Sequence, residues 1–129
     1  RRQRQMCIRD SGLTNAFTTC LTVNLNSHTG CHVVLTCFGD WGSHSSAAYR
    51  GEFFLQNGAN AYNEPGIILR QDDNTSVGTD QIVCQLLDPT GTGNPKDFAI
   101  QIRTTATTGT TSFTGQLTYT VQGKFNSIT

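Results

Sequence analysis

The residues best suited to binding a metal ion lie at positions 72–80, in the run Asp-Asp-Asn-Thr-Ser-Val-Gly-Thr-Asp. Asp72, Asn74 and Ser76 place side-chain oxygens at the first, third and fifth positions, as a calcium-binding loop does. Such a loop requires glycine at its sixth position and a bidentate glutamate at its twelfth, where this chain has Val77 and Val83. The pattern therefore favours a solvated loop over residues 71–79 rather than a calcium site.

Histidine and cysteine also form no recognisable zinc motif or catalytic pair. No Cys-x2-Cys pair occurs, no Gly-x-Ser-x-Gly elbow is present, and no two acidic residues are marked as partners across a cleft. We therefore expect no metal, no cofactor and no enzymatic activity. Of the five cysteines, Cys7 lies in an N-terminal segment that is set apart below, and the other four would allow three disulfide connectivities, which the sequence does not distinguish. Their apolar strand contexts favour buried, unreactive thiols at Cys20, Cys31, Cys37 and Cys84.

Aromatic residues in polar loops are the remaining candidates for ligand contact. Trp41 follows Asp40 in a glycine-containing loop, where an indole can stack on a sugar ring through its apolar face. Tyr62 lies in a similar loop. The alternative for Trp41 is that it caps the end of a sandwich, since tryptophan usually buries most of its area. Trp41, Asp40 and Tyr62 are the predicted ligand-binding residues.

The first ten residues are set apart from the fold prediction. Their sequence, RRQRQMCIRD, is similar to the translation of a common transposase sequencing adapter, which would make it an artefact of an assembled environmental fragment. A natural basic arm that binds nucleic acid is the alternative. Without these residues the formal net charge changes from 0 to −3, so we expect no nucleic-acid partner. We assign residues 1–11 to an adapter-derived or disordered segment and residues 12–129 to a single domain.

Apolar and polar residues alternate with a period of two through most of the remaining chain. Residues 113–125 show this most clearly, with Leu117, Tyr119 and Val121 on one side and threonine and glutamine on the other. Turn-forming residues separate such segments, and no segment keeps a helical period. The pattern predicts an all-β fold, an antiparallel, jelly-roll-like β-sandwich of about seven to eight strands. The candidate strands are residues 17–25, 31–38, 47–55, 66–70, 81–87, 98–103 and 113–125.

Two of these segments are apolar at both odd and even positions. They are residues 31–38 (CHVVLTCF) and 81–87 (QIVCQLL). A strand with two apolar faces belongs near the centre of a sheet, or it faces a core on one side and a neighbouring subunit on the other. We expect one of these two placements for both segments.

The strand order resembles that of C-terminal β-sandwich modules in tail-fibre and virion-decoration proteins of environmental bacteriophages. The segments that carry the resemblance are residues 48–58 (AYRGEFFLQNG), 97–103 (DFAIQIR) and 115–123 (GQLTYTVQG), and the likeness extends over most of residues 21–128. It implies a homotrimeric virion or extracellular module that contacts a host surface glycan or another virion protein. It implies no functional residue, because the shared pattern consists of core strands.

Two other classes of protein fit the same composition. A secreted carbohydrate-binding or adhesin domain would act as a monomer, whereas a fibre module would be a stable trimer. A sandwich-fold hydrolase would need a cleft with at least two ionisable groups of shifted pKa. No apolar run approaches the length of about 20 residues that spans a bilayer, so we expect no membrane insertion.

Overall fold

The alternation with a period of two is realised as nine β-strands. The computed structural model describes residues 3–11, 14–41, 46–58, 67–78, 80–87, 95–105 and 114–129, and for residues 3–11 and 67 it describes the backbone alone. Within these ranges there is no helix, and hence none that could cross a membrane. The strands are β1 (Gln3–Ser11), β2 (Thr18–Leu25), β3 (Gly30–Asp40), β4 (Ser46–Gln56), β5 (Ile67–Val77), β6 (Ile82–Leu87), β7 (Lys96–Thr104), β8 (Thr114–Gly123) and β9 (Ser127–Ile128).

The strands form two antiparallel sheets that stack as a sandwich. One sheet has five strands in the order β1-β8-β3-β4-β5, and the other has four in the order β6-β7-β2-β9. The predicted all-β sandwich is confirmed, and each of the seven predicted segments contributes one strand. The two further strands are β1 and the two-residue β9.

The core lies between the sheets because alternate side chains of each strand point inward. In β3, every second residue from Cys31 to Cys37 is buried, and the intervening residues are only partly covered. Burial follows the same period in β4 and β7. The largest fully buried side chains come from both sheets and include Trp41, Phe53, Phe98, Leu21, Leu35 and Ile100.

The two doubly apolar segments occupy different positions. Strand β3 is the central strand of the five-stranded sheet and pairs with β8 and β4, as predicted. Strand β6 lies at the edge of the four-stranded sheet, so it does not take the central position, and the alternative placement against a neighbouring subunit stays a prediction. Its second apolar side ends in Leu87, which is exposed.

Strand β5 is longer than the sequence pattern indicates. It pairs with β4 from Ile67↔Gln56 to Val77↔Ser46, so residues 71–77 are strand and the predicted loop there is wrong. Because successive side chains of a strand point to opposite faces, Asp72 and Asn74 lie on the inner face and Asp73 on the outer face. The predicted ligands Asp72, Asn74 and Ser76 thus share the inner face of an extended strand. Asp72 accepts hydrogen bonds from Arg70 and Tyr49, and the Asn74 amide donates to the carbonyl oxygen of Ile82, so these side chains are engaged within the sandwich and do not form a calcium loop.

Residues 3–11 form an edge strand. Strand β1 pairs with β8 from Gln3↔Gly123 to Ser11↔Gly115. Most of the segment assigned above as adapter-derived or disordered is thus extended and paired. This pairing does not bear on the origin of its sequence, and the adapter interpretation stays a prediction.

Candidate functional site

The outward-facing side of β8, β3, β4 and β5 carries most of the exposed apolar side chains in the described part of the chain. We call this side the outer face. Five large hydrophobic residues with described side chains are exposed, and of these only Leu87 belongs to the other sheet. The four on the outer face are Phe38, Phe54, Leu69 and Val77.

One end of the outer face holds a row of three paired residues. His32 of β3 lies opposite Phe54 of β4, which lies opposite Leu69 of β5. The His32 ring stacks on the Phe54 ring with 4.5 Å between centroids and 14° between planes. His32 Nε2 is also 2.8 Å from Glu52 Oε1, which fixes the imidazole orientation. We call His32, Phe54 and Leu69 the apolar row.

The other half of the outer face contains a shallow depression centred on Ala48. Phe38 and Thr75 are the cross-strand partners of Ala48 on either side. Because alanine ends at its methyl group while its neighbours are longer, an open space of about 350 Å³ remains above it. We call this the Ala48 depression, and the outer-face residues that line it are Thr36, Phe38, Ala48, Arg50, Asp73 and Thr75.

A basic and an acidic side chain lie side by side at the rim of this depression. Arg50 of β4 and Asp73 of β5 are directly opposite in the register, and both are exposed. Among the residues that the structure describes, neither side chain makes a hydrogen bond or ion pair. A guanidinium offers only donors and a carboxylate only acceptors, so the rim presents both kinds of hydrogen-bonding group to a ligand.

A second polar cluster lies on the inner face and links the two sheets. Arg70 of β5 donates through Nε to Asp72 Oδ2 at 3.0 Å and through Nη2 to the carbonyl oxygen of Cys84 in β6 at 2.7 Å. The Tyr49 hydroxyl donates to the same Asp72 oxygen at 2.9 Å. The guanidinium carbon of Arg70 also lies 5.8 Å from the centre of the Phe53 ring. We call Tyr49, Arg70, Asp72 and Cys84 the bridging cluster.

The charges of the bridging cluster are set by these contacts. The hydrogen bond from Arg70 lowers the pKa of Asp72 below its ordinary 3.8. Burial is the largest single influence on Arg70 and acts to lower its pKa, but the hydrogen bond to Asp72 and the charge interactions with Tyr49, Cys84 and Asp72 together outweigh it, so the pKa is raised. Burial also raises the pKa of Tyr49, so its phenol stays neutral. The cluster is therefore a structural ion pair with a neutral donor.

Cys20, Cys31, Cys37 and Cys84 are buried free thiols, as predicted. Desolvation raises the pKa of Cys31 and that of Cys37 to about 12, and it also raises the pKa of Cys84. Since the thiolate is the reactive form, none of these three is a nucleophile near neutral pH. Among the described residues, no group of three histidine, cysteine or acidic side chains is placed to hold a metal ion.

Two of the three predicted ligand-binding residues, Trp41 and Asp40, lie in the described part of the chain and have different surroundings. Trp41 directly follows β3, but its side chain is only 1% exposed and belongs to the core, so it offers no face to a sugar ring. The structure thus corrects its predicted role to that of a core residue. Asp40 is exposed at the end of β3, opposite Ser46. Tyr62 lies outside the described residues.

The outer face was not predicted as a binding surface from the sequence, because the alternating pattern assigns its residues to solvent. The available signal was that Phe38, Phe54 and Leu69 are apolar where the period places polar residues. The sequence pattern alone cannot show that these residues share one face, since that depends on the register between strands.

Comparison with known proteins identifies no family. No family model matches the chain, and no curated protein matches it. Among solved structures, the chain is similar to the tailspike protein of Acinetobacter baumannii phage AM24, with 10% sequence identity and a TM-score of 0.46. The match covers 98% of this chain and 27% of that one, so this chain spans less than a third of the tailspike. Similarity at this level does not assign the function of the tailspike protein to this chain.

Proposed function

We propose that this domain is a non-enzymatic virion module of the tail-fibre or virion-decoration type, which acts outside the cell as a structural or host-attachment part. It binds through the outer face of its five-stranded sheet. The observation that carries the proposal is the exposure of Phe38, Phe54, Leu69 and Val77 on one side of one sheet.

Clustering separates these four side chains from ordinary surface hydrophobic residues. Single exposed apolar residues are normal on soluble proteins, whereas apolar residues gathered on one rigid surface are typical of interaction sites. Strand β3, the central strand of this sheet, supplies Phe38, and β4 beside it supplies Phe54. The paired strands hold the backbone of both residues in place, and stacking on His32 also orients the Phe54 ring, so less conformational entropy is lost on binding.

We propose that the chain forms a homotrimer and that the apolar row makes the contact between its copies. Phe54 and Leu69 are 48% and 61% exposed and lie directly opposite each other, so together they present one continuous apolar surface. His32 extends this surface across β3 through its stacked ring. Burying these side chains against a second copy would remove apolar area from water, which favours association.

Multi-angle light scattering of the purified chain tests this assignment. We expect a homotrimer for the wild type and a monomer for the double variant Phe54→Ser/Leu69→Ser, with unchanged circular dichroism. Leu87→Ser is the matched control, since it makes the same change at an exposed apolar residue on the other sheet. A wild-type chain that stays monomeric at all concentrations would contradict the homotrimer.

Attachment is tested separately with the fluorescently labelled chain on bacterial envelope preparations and on purified surface polysaccharides. We expect binding that outer-face variants reduce and Leu87→Ser leaves unchanged. Glycan binding by a wild-type chain that remains monomeric would instead favour the second candidate, a secreted carbohydrate-binding or adhesin domain. The Ala48 depression is the observation that supports this second candidate.

A further inference from the structure

We propose that the Ala48 depression is a binding subsite for a neutral saccharide, namely one hexopyranose unit with adjacent free hydroxyl groups. This inference rests on the proposed function, because it names the class of ligand that the attachment surface binds. The residues that line the Ala48 depression are separate from those of the apolar row. Phe38, Arg50 and Asp73 are the residues that recognise the ring.

The shape of the depression suits one or two sugar rings. Its volume of about 350 Å³ lies at the small end of the range for ligand sites, about 300–1,000 Å³. It is open to solvent along the sheet, so a ring within a longer glycan can enter without threading. Neighbouring space of about 320 Å³ continues past Phe38 toward Asp40 and Val77 and leaves room for a second unit.

Phe38 supplies the apolar wall. Its side chain is 54% exposed although it belongs to the central strand of the sheet. A pyranose ring has C–H groups on its faces and hydroxyl groups around its edge. Packing a ring face against Phe38 removes apolar surface of both partners from water and leaves the hydroxyl groups directed at the polar rim.

Arg50 and Asp73 select for hydroxyl groups and against charge. A sugar hydroxyl both donates and accepts hydrogen bonds, so it can accept from the guanidinium while its neighbour donates to the carboxylate. An anionic ligand would be attracted by Arg50 and repelled by Asp73. A cationic ligand would be attracted by Asp73 and repelled by Arg50. A neutral polyhydroxylated ring engages both. The Thr75 hydroxyl adds a partner that can donate or accept, and the Thr36 hydroxyl, which donates to the carbonyl oxygen of Thr118 at 3.5 Å, can accept.

The exposure of these groups makes a single site weak. The small ligand buries few atoms, so we expect a dissociation constant on the order of 1 mM for one hexopyranose. A trimer with three such sites would bind a repeating polysaccharide more tightly through effective concentration. Weak single-site binding is thus compatible with firm attachment.

The test is a titration of the isotopically labelled chain with methyl α-glucopyranoside, methyl α-mannopyranoside and methyl β-galactopyranoside, followed by amide chemical shifts. We expect saturable shifts for at least one probe, confined to residues 36–38, 48–50 and 73–75. Phe38→Ser, Arg50→Gln and Asp73→Asn should each weaken binding by about tenfold or more, which corresponds to the loss of one good contact. The control Gln71→Asn, on the outer face outside the depression, should bind like the wild type.

Several results would overturn the subsite. They are the absence of saturable shifts with all three probes, shifts centred on other residues, or unchanged affinity in the three variants. Tighter binding of N-acetylneuraminic acid than of the neutral probes would also overturn it, because the charge argument excludes an anion. These failures are distinguishable from failure of the proposed function, since the apolar-row variants and light scattering report on trimer formation without any sugar.

Discussion

Arg70 of β5 donates a hydrogen bond to the carbonyl oxygen of Cys84 in β6 at 2.7 Å, and so joins the edge strands of the two sheets. The same guanidinium is bonded to Asp72, which also accepts from Tyr49. The sandwich is thus closed on this side by polar contacts, while its centre is closed by apolar packing. The stability of this side should depend on a small number of hydrogen bonds.

Arg70→Ala should lower the free energy of unfolding by about 1–2 kcal/mol. A hydrogen bond to a charged group contributes about 1.5–3 kcal/mol, and the value is reduced here because the Arg70 side chain is 32% exposed. Urea denaturation measures the change. Arg50→Ala is the matched control, an exposed arginine without a hydrogen bond among the described residues, and it should change stability by less than about 0.5 kcal/mol. Equal losses for the two variants would contradict the role of the bridging cluster.

Asp72 should make a specific part of the stability sensitive to acid. Its pKa is lowered in the folded chain, so its contribution is fully present above the ordinary value of 3.8 and is lost as the pH falls through the lowered pKa. Asp72→Asn should therefore show a smaller decline in stability than the wild type between about pH 4 and pH 2. Urea midpoints across this range measure it. Parallel declines in the two proteins would show that Asp72 is not the responsible group.

Gly51→Ala should destabilise the five-stranded sheet. An added Cβ would lie 2.5 Å from Cζ of Phe53 and 2.6 Å from the Tyr49 hydroxyl oxygen, so both side chains must move. Overpacking of this kind typically costs about 1–3 kcal/mol. Because the Tyr49 hydroxyl also donates to Asp72, the substitution disturbs the bridging cluster as well.

A double-mutant cycle with Phe53→Leu identifies the clash. The smaller side chain frees the space that alanine would occupy, so the double variant should be more stable than the sum of the two single losses predicts. Strict additivity of the two losses in thermal unfolding would indicate that Phe53 does not oppose a side chain at position 51.

Cys20, Cys31, Cys37 and Cys84 should resist modification in the folded chain. They are buried, and desolvation raises the pKa of Cys31 and Cys37 to about 12, so almost no thiolate exists at neutral pH. In a Cys7→Ser background, Ellman's reagent should react slowly with the native protein and titrate all four thiols after addition of denaturant. Rapid modification of any thiol before unfolding would contradict the burial of that residue.

Trp41→Ala should lower stability by about 3–5 kcal/mol, as large-to-small substitutions of buried aromatic residues do. Phe38→Ala, at an exposed aromatic residue just before it in the sequence, should change stability little. Thermal unfolding followed by circular dichroism measures both. A Trp41→Ala variant that keeps wild-type stability would place the indole outside the core and restore it as a ligand-binding candidate.

The sequence was most informative where one side of a strand is polar throughout. Residues 114–123 alternate without interruption, and the structure confirms both the strand β8 and the burial of Leu117, Tyr119 and Val121. It misled where polar residues serve an inner face. Asp72 and Asn74 look like part of a solvated loop in the sequence, but they lie with Arg70 on the inner face of β5 and make hydrogen bonds within the sandwich.

Period-two burial was therefore decided by the sequence itself, because each strand's inward and outward sides follow from the local alternation of side chains. Sheet order and register were decided only by the tertiary structure, because they depend on contacts between residues far apart in the chain. That long-range pairing put β6 at an edge, Trp41 in the core, and Arg50 beside Asp73 at the rim of the Ala48 depression. Neighbouring strands, rather than neighbouring residues, build the surface that this domain presents.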